Sequence, residues 1–81
     1  MAVEQREPKR FQLVRSEDVS GTSGTGVVAY GVEFGDGTAV LRWNTKTSST
    51  AIYGSVKDIE EIHGHGGATL VSWLDMPERW K

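Results

Sequence analysis

The dipeptide Asp36-Gly37 constrains this chain more than any other feature of its sequence. Asp-Gly supplies the positive φ of a tight hairpin turn, and here it separates two stretches of alternating character. Before it, Val28, Tyr30, Val32 and Phe34 alternate with Ala29, Gly31 and Glu33. After it, Ala39, Leu41 and Trp43 alternate with Thr38, Val40 and Arg42. Period-two patterning on both sides of such a turn predicts an antiparallel hairpin over residues 27–44. The larger side chains mark its expected buried face as Tyr30, Val32, Phe34, Leu41 and Trp43, with Ala29, Gly31 and Glu33 pointing away.

The remaining elements follow from local periodicity. Residues 9–16 read as a strand with Phe11 and Leu13 toward the core and Arg15 in the same phase. Residues 50–53, Thr-Ala-Ile-Tyr, form another short β-prone segment. The period then changes. Ser55 stands three residues before Asp58, a variant capping box, and Val56, Ile59 and Ile62 follow at spacing three. With Gly64 as a left-handed C-cap, this predicts a helix of two to three turns. A helix so short does not persist alone, so its apolar stripe must rest on the sheet. Residues 68–74 give a last strand with Thr69, Val71 and Trp73 on one face and Leu70 and Leu74 on the other.

This order predicts an α+β fold, mainly antiparallel β. The expected architecture is a small twisted sheet or a partly open SH3-like barrel of four to five strands with one short helix. An 81-residue chain holds one folding unit. We expect a disordered arm over residues 1–8, a single β-rich domain over 9–75, and a tail over 76–81 whose Trp80 folds back over the domain.

The absence of cysteine favours a reducing compartment and removes thiolate zinc sites and cysteine nucleophiles. No apolar run is long enough to span a bilayer, and the polar start does not read as a signal peptide. These features predict a cytoplasmic protein. Nine Lys and Arg against eleven Asp and Glu give a net charge of −2, which argues against a nucleic-acid partner. The basic residues Lys9, Arg10 and Arg15 are offset by Glu4, Glu7, Glu17 and Asp18.

Two glycine-rich segments are where function is expected. In the first, Ser20-Gly21-Thr22-Ser23-Gly24-Thr25-Gly26, β-prone residues follow the glycines. No helix N-terminus therefore awaits a pyrophosphate, and no Lys-Ser or Lys-Thr closes a P-loop. Its hydroxyls and amides suit an anion-binding nest, and a plain flexible connection explains the composition equally. The second is His63-Gly64-His65-Gly66-Gly67. Two imidazoles two residues apart invite a metal, but zinc needs at least three protein ligands and no third is specified by the spacing. His63 is otherwise a last-turn residue near unpaired helix carbonyls, and His65 a turn residue. No nucleophile elbow is present, and the chain is short for walling a pocket.

Asp18-Val19-Ser20-Gly21, Ser23-Gly24-Thr25-Gly26-Val27-Val28-Ala29, Asp36-Gly37, Leu41-Arg42-Trp43 and His63-Gly64-His65-Gly66-Gly67-Ala68-Thr69 together carry a resemblance. Over about residues 10–75 the chain resembles a group of small uncharacterised proteins of actinobacteria, their phages and related mobile elements. The resemblance implies a phage or prophage context and a bacterial cytoplasm; it transfers no activity.

The expected function is a non-catalytic binding module without a cofactor. Its expected ligand-binding residues are Ser20, Gly21, Ser23, Gly24 and Thr25 from the first segment and His63, His65 and Gly66 from the second. The partner is a polar or anionic ligand or a host protein. One alternative is a protein-interaction or homodimerisation module using a sheet edge and Trp80. Another is a small metal-dependent or hydrolytic enzyme.

Overall fold

The computed structural model describes residues 6–16 and 25–75. The arm before residue 6, most of the first glycine-rich segment and the tail with Trp80 lie outside them. The elements in chain order are β1 (Lys9–Arg15), β2 (Gly26–Glu33), β3 (Ala39–Trp43), β4 (Thr50–Tyr53), α1 (Val56–His63), a 3-10 turn at His65–Gly67 and β5 (Thr69–Trp73). The strands form one sheet in the order β4-β3-β2-β1-β5, with every neighbouring pair antiparallel. It is not closed into a barrel; of the two architectures expected, the open twisted sheet is the one realised.

The hairpin is hinged at Asp36-Gly37. Gly37 takes φ +95° and donates its N–H to the Phe34 carbonyl at 2.9 Å, while Asp36 Oδ1 accepts from Thr38 N at 2.9 Å. That Asx turn also holds the Asp36 carboxyl below its ordinary pKa, because the Thr38 amide donates to it.

The inward face of β2 differs from the sequence expectation. Phe11, Leu13, Ala29, Ala39 and Leu41 are buried with Val56 and Ile59 of the helix. Tyr30 and Phe34 are 49% and 43% exposed, and Val32 is half-buried on the far side of the sheet. The cause is a β-bulge. Leu13 pairs with Ala29 but Val14 pairs with Val27, so Val28 is an extra residue and the strand's phase inverts there. Both Val28 and Ala29 are consequently buried. Beyond the bulge Gly31 faces inward beneath the Phe11 ring, where a Cβ would overlap it.

The helix begins as its sequence implies, with the Ser55 hydroxyl accepting from Asp58 N at 3.1 Å. Its sheet-facing stripe is Val56, Ile59 and His63, whereas Ile62 is 60% exposed. Each three-residue step falls about 60° short of a full turn, so the third member of a spacing-three series rotates off the face. The expected left-handed C-cap is also corrected. Gly64 is right-handed (φ −70°, ψ −26°), and the positive φ values come next, at His65, Gly66 and Gly67.

Candidate functional site

Arg15 ends β1 on the core side of the sheet, in register with Gly26 of β2 and Thr69 of β5. Its residue is only 3% exposed. Nε donates to Thr69 Oγ1 at 2.7 Å, and the guanidinium carbon stands 5.9 Å from the centre of the Trp43 ring. Trp43 in turn meets His63 edge-to-face, with centroids 4.9 Å apart and planes at 73°. His63 Nε2 and the Tyr53 hydroxyl are hydrogen-bonded at 2.9 Å. One connected group thus joins the end of β1, the start of β5, the ends of β3 and β4 and the last turn of α1.

The electrostatics of this group are one-sided. Among the described residues, the ion pairs are Lys9 with Glu33 and Arg10 with Asp75, and no carboxylate pairs with Arg15. A buried cation is ordinarily matched by an anion because desolvation penalises it. His63 is held below its ordinary pKa, first by burial, then by the charge of Arg15 and then by His65. Among the described residues, His63 thus stands beside a guanidinium with no carboxylate partner, and its depressed pKa leaves it able to take up a proton.

The glycine-rich segments meet this group at their ends. Ser16 N donates to the Ala68 carbonyl at 2.8 Å, and Gly26 sits across from Arg15 with φ +84°. The boundaries of the first loop therefore flank β1 beside the second turn. Ser20, Gly21, Ser23 and Gly24 lie outside the described residues; Thr25 is exposed at the start of β2. Of the second segment, His63 is half-buried in the cluster, while His65 and Gly66 are exposed in the turn. Gly64 O accepts from Gly67 N and Thr69 N, and His65 O from Ala68 N, so those three amides are spent closing the turn. What the turn offers a ligand is the His65 side chain. Among the described residues, no group of three His, Cys, Asp or Glu is placed to hold a metal.

Reasoning from sequence noted Trp43 as core and did not place Arg15 or Tyr53 in a site. The available signal was a cation in phase with Phe11 and Leu13. Burying an arginine on a strand face carries a desolvation cost that hydrogen bonds, an aromatic face, a counter-charge or a ligand must offset.

The model of the Acb5 phage protein family matches residues 8–75. The chain belongs to the Acb5 phage protein family. The match runs from just before β1 to just beyond β5, taking in the whole sheet, the helix and every member of the Arg15 cluster. No curated protein and no solved structure matches this Acb5 family member. Among its described residues, no helix is long and apolar enough to cross a membrane.

Proposed function

We propose that this phage protein is a non-catalytic binding module that captures an anionic, phosphate-bearing ligand at the Arg15–His63 cluster. The observation that carries the reading is an arginine residue only 3% exposed whose guanidinium has a neutral hydroxyl, that of Thr69, as its hydrogen-bond acceptor among the described residues. Phosphate oxygens supply the missing charge and accept in the geometry a guanidinium offers. Protonation of His63 would add a second charge-assisted donor, and Tyr53 and His65 further polar contacts. The half-buried rings of Trp43 and Tyr53 give a ligand with a planar group somewhere to stack. Ser20, Ser23 and the glycine amides of the first segment, expected from the sequence as further contacts, lie outside the described residues. The phage family and the lack of cysteine suit work in the reducing cytoplasm of a bacterial host.

The test is a side-chain NMR titration with inorganic phosphate, nucleoside phosphates and divalent metals. Phosphate-bearing ligands are expected to move His63 and His65, and the volume-conserving variant Arg15→Met is expected to abolish the movement. Glu17 and Asp18 follow Ser16 outside the described residues. If either already neutralises Arg15, no phosphate compound will shift His63 and the proposal fails. A response to metals alone would favour the metal-dependent alternative instead.

A further inference from the structure

The face of the sheet turned away from α1 is the second unusual surface of the molecule. Antiparallel sheets commonly leave one face to water, and that face then carries polar residues. Here the row Leu74, Arg10, Val32, Val40, Ile52 crosses β1 to β4 and reaches the residue just past β5, following the pairings Arg10–Val32, Val32–Val40 and Val40–Ile52 and the hydrogen bond from Leu74 N to Arg10 O. Four of its five residues are apolar. Ile52 is 74% exposed, and Leu70, Leu74, Tyr30 and Phe34 are exposed beside it. A shallow hollow of about 370 Å3 opens between Arg10, Tyr30, Val32, Val40, Arg42 and Leu74.

We propose that a second copy of this chain covers the face, giving a two-fold dimer in which two sheets pack face to face with the helices outside. Area supports this occupant. Five strands roughly 4.8 Å apart and five residues of roughly 3.4 Å each make a platform of about 24 × 17 Å. That is about 410 Å2 in projection, and a surface with side-chain relief exceeds its projection, which brings the platform toward the low end of the roughly 600–1,000 Å2 each partner gives to a standard interface. Charge supports it too. The one cation in the apolar row, Arg10, is already paired with Asp75 through Nη2–Oδ1 at 2.9 Å and Nε–Oδ2 at 3.1 Å, so two copies do not bring bare like charges together along it. The neighbouring row, Ser72, Gln12, Tyr30, Arg42 and Thr50, is polar and rims the apolar one, with Arg42 bonded to Thr50 at 2.9 Å. A two-fold axis lying between the sheets and running along the strands sets each row against itself in reversed strand order, as an isologous interface requires. Sheets packed in this way lie about 10 Å apart with their apolar residues interdigitated.

The edges are poorer candidates. β4 offers four residues and β5 five, too little for a stable strand addition. The covered face is also opposite the Arg15 cluster, so dimer formation and ligand binding succeed or fail separately.

Sedimentation equilibrium of the full chain over a micromolar concentration series tests the proposal. It predicts a mass approaching twice the 8.9 kDa of one chain. It further predicts that Ile52→Arg, at an exposed edge position, weakens the dimer at least tenfold while leaving the circular dichroism spectrum, and the urea midpoint at dilutions where the chain is monomeric, unchanged; Leu74→Arg serves as a second variant. A monomer throughout the series overturns the proposal. So does a dimer that neither substitution weakens, and so do Overhauser contacts between Trp80 and Ile52 within a monomer, which would assign the face to the chain's own tail.

Discussion

Gly31 and Phe11 show how one residue's size is set by its neighbour across a strand pair. The Phe11 ring is fully buried against the Gly31 backbone and meets Trp73 edge-to-face at 5.3 Å. Gly31→Val forces that ring out of its place and should cost about 1–3 kcal/mol in urea unfolding, an overpacking penalty. Phe11→Ala, which empties the same space, should cost about 3–5 kcal/mol. His63 makes a different demand. Its pKa is depressed below 6.5 by burial and by Arg15 and His65, so between the folded value and 6.5 the unfolded chain carries the extra proton. The stability tied to this residue is therefore complete above about pH 6.5 and is lost as pH falls through the folded value. His63→Gln should flatten that part of the stability–pH curve, measured by chemical denaturation from about pH 7 to about pH 5.

At the scale of elements, the hairpin and the helix start are the local structures with the clearest chemical cause. Gly37 at φ +95° should not accept a side chain cheaply; Gly37→Ala is expected to cost about 1–2 kcal/mol. Removing the Ser55 cap by Ser55→Ala should cost about 1 kcal/mol, read from the urea midpoint. These two features were legible in the sequence because they depend on neighbours in the chain: Asp36 before Gly37, Ser55 before Asp58. The phase of β2 was not, because it turns on a bulge at Val28 that only pairing with β1 reveals. Nor was the identity of the third helix contact. Periodicity pointed to Ile62, while the 100° step per residue places His63 over Trp43 and beside Tyr53. The candidate site was half legible for the same reason. The histidine turn announced itself by composition, but Arg15, Tyr53 and Thr69 reach it from three strands that no local pattern connects.

At the scale of the molecule, one layer of helix covers one face of a five-stranded sheet, and the two faces differ in character. Under the helix, a guanidinium with no carboxylate partner among the described residues, the His63 imidazole and a tyrosine hydroxyl gather where β1 and β5 meet the end of α1. Away from it lies an apolar row suited to a second copy. The anion site is the central claim, and proton linkage exposes it most directly. A bound phosphate beside His63 favours the imidazolium, so binding should raise the pKa of that imidazole. The decisive measurement is the His63 pKa by NMR with and without saturating inorganic phosphate. We predict a depressed value in the free protein that rises on binding, with Arg15→Met abolishing the rise. A His63 pKa that phosphate leaves where it was would contradict the account.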